Sequence, residues 1–303
     1  MTRCRAMERR AMKRPETLAQ MNAALARFAT EHGVETGLAY RPDRTDIFIS
    51  PYSKCGTTWI TQIAHGLRSG GDMAFDEITE AVPWLELAHD MGRDVNAPQP
   101  YRPKLFKSHL PWGVIPEGGR YIVVLRNPVD AMVSLYRFFD GWMFERGAIS
   151  LENFAEYYLD RMGREDYWSH ASSWWGVRDR DDVLLLAYEH MKRDLAKSVA
   201  QVADFMGISD ERTRAVAEAQ ATLVFMKAHG RKFDDHLVRQ ARDAACGLPP
   251  GGEASKVASG QAGAGQAQIS AEMRNAYAQK WRETMGAAHG LESYDDVLAA
   301  LED

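Results

Sequence analysis

Two short stretches of this sequence hold residue types suited to gripping anions. In the run Ile47-Phe48-Ile49-Ser50-Pro51-Tyr52-Ser53-Lys54-Cys55-Gly56-Thr57-Thr58-Trp59, an apolar strand enters a turn with one Lys and one Gly, and a helix follows. A helix start presents N–H groups that the helix itself cannot satisfy, and its dipole adds partial positive charge there. Lys54 and the hydroxyls of Thr57 and Thr58 converge on the same point, which makes a phosphate site on physical grounds. The plain alternative is an ordinary strand–turn–helix carrying a solvated lysine. The second stretch is Val124-Leu125-Arg126-Asn127-Pro128-Val129-Asp130. Asn127 suits an N-cap, Pro128 the first helical position, and Asp130 the place of a capping-box acid. Ser134 follows two turns after Asn127 on the same face. Arg126 and Ser134 could therefore hold a second phosphate, with the guanidinium fork binding it bidentately. A surface Arg beside a helix hydroxyl bonded to its own backbone is the alternative.

The elements that must position these groups are legible as a pattern. Short apolar runs at Ile47 to Ser50, Lys104 to Ser108, Tyr121 to Leu125 and Val183 to Ala187 alternate with helical stretches near 57–68, 128–140, 151–162, 168–177 and 192–206. Strands apolar on both faces and separated by helices imply an α/β fold, a three-layer α/β/α sandwich around a mostly parallel sheet. Lys54, His109, Arg126 and Tyr188 each stand at the end of such a strand, where ligands bind in sheets of this kind. Ahead of the sheet, Leu18, Met21, Leu25 and Phe28 at helical spacing, with Gly33 as C-cap, predict one helix over 16–32. Residues 243–268, with Pro249-Pro250-Gly251-Gly252 and a run of Ala, Gly, Ser and Gln, are too poor in large apolar groups to pack a core, and read as a lid-like surface loop or a plain linker. Ser270 is the expected N-cap of a last helix carrying Met273, Tyr277 and Trp281. The expected division is an N-terminal basic and helical extension over 1–36 and one domain over 37–303.

Composition narrows the class. The chain has 303 residues, 45% hydrophobic and 26% charged, close to average for a soluble globular protein. Its longest apolar runs fall far short of the roughly 18 residues that a membrane span needs. The net charge of −5 disfavours a general nucleic-acid binder. Residues 1–14 are locally basic (Arg3, Arg5, Arg9, Arg10, Lys13 and Arg14 against Glu8) without the apolar core of a secretory signal, so a targeting segment, a lipid-touching arm and an over-extended start all stay open. Three widely spaced cysteines, Cys4, Cys55 and Cys246, suit a reducing cytoplasm and no metal cluster. The loop at Lys54 is not the nucleoside-triphosphate version: Lys54 precedes Gly56 instead of following it, and the strand Tyr121 to Leu125 ends in Arg126 where a phosphoryl-transfer enzyme wants a Mg²⁺ carboxylate. A P-loop kinase of a small alcohol is therefore the weaker reading.

SPYSKCGTTW resembles the 5′-phosphosulfate loop of the cytosolic-type sulfotransferases, usually YPKSGTTW, and LRNPVDAMVSLYRFF resembles their 3′-phosphate segment, RNPKDVAVSYYHF. KLFKSHLP is similar to their KTHLP, LLLAYEHM to YEDM, and VPWLEL to the VPFLE piece that lines the acceptor pocket. The likeness runs in the family's order from about residue 45 to the C-terminal helix. It implies a P-loop-like sulfotransferase fold and sulfuryl transfer from 3′-phosphoadenosine 5′-phosphosulfate (PAPS) to a hydroxyl or amine of a small-molecule or lipid acceptor, without a metal. Carried over residue by residue, His109 is the general base and Lys54 neutralises charge on the leaving phosphate. Lys107 orients the acceptor and sulfuryl group, and Ser134 completes the catalytic set. Cys55, Gly56, Thr57 and Thr58 form the 5′-phosphate loop, Trp59 and Tyr188 contact the adenine, and Arg126 and Ser134 hold the 3′-phosphate. Trp84 and Phe138 match acceptor-pocket positions; Trp112 and Trp142 are further aromatic candidates, and plain core packing is the alternative for each.

The sequence departs from the family near its end. The paired cations of the family's R-K-G have become Ala258 and Ser259, while Gly260 survives. Lys256, or Arg231 and Lys232 upstream, are expected to compensate. Thr222 and Leu223 match a Ser-Phe pair at the adenine, and His190 replaces an Asp. Cys55 stands where the family often has Ser; a thiolate stabilised at a helix start is one reading, a small residue fitting the turn the other. The family's short dimer motif is not readable around residues 266–275, so a homodimer stays open. A nucleotide-binding relative without turnover is the remaining alternative.

Overall fold

In the computed structural model of the chain, the described residues are 12–161, 166–252, 263 and 265–302. The basic residues 1–11, and Lys256, Ser259 and Gly260 of the expected phosphate clamp, lie outside them.

Four short strands form one sheet: β1 (Ile47–Ile49), β2 (Leu105–Lys107), β3 (Arg120–Leu125) and β4 (Val183–Ala187). Their order is β2-β1-β3-β4, and every pairing is parallel. Chain order reverses between β1 and β3, since one leads outward to β2 and the other to β4. That reversal opens a crevice beyond the carboxyl ends of the two central strands.

Alternating side chains of each strand feed two separate cores. Phe48, Phe106, Tyr121, Val123 and Leu125 face one layer. Ile47, Ile49, Leu105, Ile122 and Val124 face the other. Phe48 stacks on Phe106 at 5.4 Å and on Tyr121 at 5.7 Å, following the register that sets the three side by side. Helices cover both faces, as a fully apolar parallel sheet requires. In chain order they are α1 (Leu18–Leu25), α2 (Glu31–Leu38), α3 (Thr57–Ser69), α4 (Pro128–Phe139), α5 (Leu151–Arg161), α6 (Tyr167–Trp175), α7 (Tyr188–Arg193), α8 (Leu195–Met206), α9 (Glu211–Ala221), α10 (Leu223–Ala228), α11 (His236–Cys246), α12 (Ala271–Trp281) and α13 (Tyr294–Ala300), with shorter turns between some of them. The three-layer α/β/α expectation holds.

Three expected elements differ. The single helix over 16–32 is two helices, because Thr30 caps α2 by accepting from Gly33 N–H, and the Asp90 carboxylate takes the Thr30 N–H and hydroxyl. Gly33 is thus inside α2, where Asp90 atoms stand 2.8–3.0 Å from the position of a Cβ. The stretch 192–206 is broken at Asp194, whose side chain caps α8. The surface loop begins later than residue 243, since Asp243 and Cys246 end α11. Ser270 caps α12 as expected, and Met273, Tyr277 and Trp281 are its buried residues. Met21 and Ala24 of α1 bury in the same core as the strands, so the N-terminal helical segment packs as part of the domain.

Candidate active site

The turn after β1 has unusual backbone geometry. Lys54 has φ +67 and Gly56 φ +91, both in the left-handed region. Gly56 is required there twice over: L side chains rarely adopt this conformation, and a Cβ would stand 3.0 Å from the Tyr188 ring. Gly56 also occupies the N-cap of α3 and offers no side chain to its first N–H groups. The first N–H groups of α3 therefore have no side-chain cap. The Thr57 hydroxyl is buried without a hydrogen-bond partner.

β3 delivers the second group. Arg126 is 8% exposed, its Nη1 donates to the Lys54 carbonyl at 2.8 Å, and its guanidinium lies 4.3 Å from the Tyr188 ring centre. The two anion-binding motifs thus touch each other, but one arm of the expected bidentate fork is already engaged by the backbone. Asn127 caps α4 through the N–H groups of Val129 and Asp130. Asp130 does not reach back as a capping-box acid: its carboxylate accepts from Gly263 N–H at 2.5 Å and Gly265 N–H at 2.9 Å, while Asn127 N–H goes to Glu189. Gly265 is closed to any side chain, because a Cβ would stand 2.6 Å from Asp130 Oδ1. The far end of the expected loop is therefore moored to the start of α4.

β2 delivers the third. His109 Nδ1 lies 2.7 Å from the Pro51 carbonyl oxygen, which can only accept. Nδ1 therefore carries the proton, and the lone pair of the neutral ring falls on Nε2. The His109 N–H donates to Glu86 Oε1 at 2.8 Å. Burial pushes the Glu86 carboxyl above its ordinary range. The segment holding Glu86 runs beside β2: Leu85 N–H donates to the Lys107 carbonyl, and Lys107 N–H donates to the Pro83 carbonyl. This sets Trp84 under Lys107, whose Nζ is 3.6 Å from the ring centre, and edge-on to His109 at 5.1 Å. Lys54 Nζ lies 3.9 Å from the Phe138 ring centre in a similar pose.

Lys54, Gly56, Arg126, Asp130, Trp84, Lys107, His109 and Phe138 all line one cavity of about 750 Å³. Its walls include Lys54, Thr57, Thr58, Trp59, Trp84, Lys107, His109, Arg126, Ser134, Phe138, Trp142 and Tyr188. Trp59 meets Tyr188 edge to face at 5.5 Å and donates its Nε1–H to the Ala221 carbonyl. Thr222 and Leu223 are at the wall too, with Thr222 capping α10.

Several expected residues are placed elsewhere. Trp112 does not line the cavity; it packs edge-on against Tyr121 at 5.3 Å and against Trp174 at 5.6 Å. Cys55 is fully buried, its N–H donates to the Tyr52 carbonyl, and burial pushes its thiol up to about 12. Of its two readings, the small residue that fits the turn is the one realised. Arg231 pairs with Asp76 and Lys232 donates to the Phe75 carbonyl, so neither compensates at the cavity. His190 is also outside the lining.

Sequence reasoning missed part of the wall. Leu25 and Phe28 line it from the N-terminal segment, and Phe28 packs on Trp84 at 5.8 Å and Trp142 at 6.2 Å. Their helical spacing was a signal for burial but not for which surface they bury against. Asp235, with φ +59, lines the wall from the start of α11, and Arg137, Gly265 and Gln268 line it beside Ser134 and Asp130. Among the described residues, no group of His, Cys, Asp and Glu is placed to hold a metal ion, and no helix is long and apolar enough to cross a membrane.

Residues 44–298 match the family model described as "Sulfotransferase domain". An amine sulfotransferase of Oryctolagus cuniculus is 31% identical over 193 residues, covering 60% of this chain and 63% of the relative. Sulfotransferase 2A1 of Homo sapiens is 30% identical over 171 residues, 54% of this chain and 59% of that protein. The match spans less than two thirds of these relatives' own length. The fold superposes on retinol dehydratase in complex with androsterone and the inactive cofactor PAP, with TM-score 0.70, 16% identity, and 90% and 95% of the two chains covered. A mouse sulfotransferase complexed with PAP gives TM-score 0.66 at 18% identity, covering 89% of this chain and 95% of that one.

Proposed function

The chain belongs to the sulfotransferase family, and from that premise we propose that it transfers a sulfuryl group from PAPS to a hydroxyl or amine of a small-molecule or lipid acceptor. The observation that carries this reading is the meeting of Lys54, His109, Arg126 and Ser134 on one cavity whose remaining wall is largely apolar and aromatic. The acceptor oxygen or nitrogen attacks sulfur, the bond from sulfur to the phosphate oxygen breaks, and adenosine 3′,5′-bisphosphate (PAP) leaves. The acceptor proton passes to His109 Nε2, the nitrogen left with the lone pair by the Pro51 contact. Lys54 neutralises the charge that appears on the departing phosphate, where a preformed cation acts without reorganising. Lys107 orients the acceptor and the sulfuryl group.

Gly56, Thr57 and Thr58 hold the 5′-phosphate at the start of α3. Trp59, Tyr188, Thr222 and Leu223 receive the adenine, and Arg126 with Ser134 the 3′-phosphate. Trp84, Phe138 and Trp142, with Leu25 and Phe28, receive the acceptor. The relatives named above support an apolar alcohol or an amine in that place: one is named an amine sulfotransferase, and one fold neighbour holds androsterone. The test is His109→Ala assayed with radiolabelled PAPS and a panel of phenols, sterols and amines. Wild-type turnover in that variant removes the base assignment. Equal binding of PAP and AMP to the wild type removes the donor.

A further inference from the structure

Resting on the donor reading above, we infer that Arg137 supplies the missing cation for the donor's 3′-phosphate, a role that neither anion-binding motif assigns to it. Five cations line the cavity: Lys54, Lys107, Arg126, Arg137 and Lys192. Lys54 and Lys107 have their ammonium groups over the Phe138 and Trp84 rings. Arg126 has one terminal nitrogen on the Lys54 carbonyl and its plane against Tyr188. Arg137 differs from all of these. It is exposed at the cavity rim on α4, three residues after Ser134, and side chains at that spacing share a helix face.

Its guanidinium is held toward the return of the loop by Gln268 Oε1 at 2.6 Å. That partner is a neutral amide oxygen. A phosphate oxygen forms charge-assisted bonds roughly twice as strong, in a geometry that matches the planar fork, so exchange of Gln268 for phosphate is favourable. Asp130, the carboxylate on the same helix that would repel the ligand, is already turned into the N–H groups of Gly263 and Gly265. Lys192 also lines the cavity, but from α7 and as a point charge without the planar fork. By sequence, residues 243–268 contain one cation, Lys256, and Arg231 and Lys232 are engaged at Asp76 and Phe75. The sequence has therefore moved a guanidinium from the loop onto the rigid helix below it.

The experiment is calorimetric titration of the full chain, as wild type, Arg137→Ala and Arg137→Lys, with PAP and with AMP, which differ only by the 3′-phosphate. Wild type is expected to prefer PAP. Arg137→Ala weakens PAP about 10- to 100-fold, the worth of one or two charge-assisted hydrogen bonds, and leaves AMP within about twofold. Arg137→Lys recovers part of the loss, keeping the charge without the fork. Wild-type affinity for PAP in Arg137→Ala overturns the inference while the donor reading stands. Equal weakening of PAP and AMP also overturns it, by showing damage to the cavity as a whole. A wild type that does not distinguish PAP from AMP overturns the donor reading, and this inference with it.

Discussion

The two subsites proposed for the cavity are built in opposite ways. At the proposed phosphate subsite, Lys54, Gly56, Thr57 and Thr58 lie within five residues, and Arg126 and Ser134 within nine, each set fixed by one strand end and one helix start. At the proposed acceptor subsite, the wall draws on Leu25, Phe28, Trp84, His109, Phe138, Trp142 and Asp235, brought from five separate parts of the chain. A phosphate is the same object in every donor, so local backbone geometry suffices to hold it. An acceptor's shape is particular, and side chains on separate segments can each change without disturbing the strand ends. On the proposed reading, chemistry is fixed at one subsite and selectivity left adjustable at the other.

That contrast can be broken or sharpened by substitution. The largest effect is expected for His109→Ala, about a 10²- to 10⁴-fold loss of kcat with PAP affinity unchanged, read by turnover and calorimetry. Lys54→Met follows, with kcat down about 10²- to 10³-fold. A Lys54 variant that kept full kcat would separate the turn from the chemistry. Phe28→Ala works at the other subsite: KM for a bulky acceptor rises about tenfold while the Kd for PAP stays put. If PAP binding weakened equally, the two subsites would not be independent. Gly265→Ala forces a Cβ against Asp130 and strains the moored loop end by about 1–3 kcal/mol, so PAP dissociates faster in stopped-flow measurements while acceptor KM is unchanged.

The smallest effect is set by pH. Burial acts to lower the His236 pKa, but hydrogen bonds to Asp76 and Asp234 outweigh it and the Arg231 charge, leaving it raised. A raised folded-state value means that the imidazolium's contribution is fully present below the unfolded value of about 6.5 and is lost as pH climbs through the folded one. His236 begins α11, so His236→Asn should lower Tm at pH 6 and leave it unchanged at pH 9. A constant gap across that range would assign His236 a packing role only.

How much of this was legible in the sequence follows the same division. Val183–Ala187 and the turn at Lys54 could be read because their signals are local: apolar runs, a glycine, and hydroxyls at a helix start. The break between α1 and α2 could not, because the Thr30 cap depends on Asp90, sixty residues away. Asp130 fits a capping box in every local respect, yet its partners come from Gly263 and Gly265. Trp112 and Trp142 are equally plausible pocket residues by type, and only the packing of Tyr121 and Trp174 separates them. Arg137 stands inside a stretch that matches the family, but its use depends on cations absent from a loop more than a hundred residues later.

The left-handed backbone at Lys54 sets the terms on which this protein can fall silent. A residue with a Cβ bears a penalty of about 1–2 kcal/mol in that conformation, which glycine escapes, although glycine gives back roughly 0.5–1 kcal/mol through its looser unfolded chain. Lys54→Gly should therefore fold about as well as its parent and still cradle a nucleotide between Thr57 and Arg126. It would have lost the side chain that reaches over Phe138, and with it the ammonium. A lineage drifting at this position would keep a sound receptor for the spent donor and forfeit the reaction, without selection against misfolding to check it.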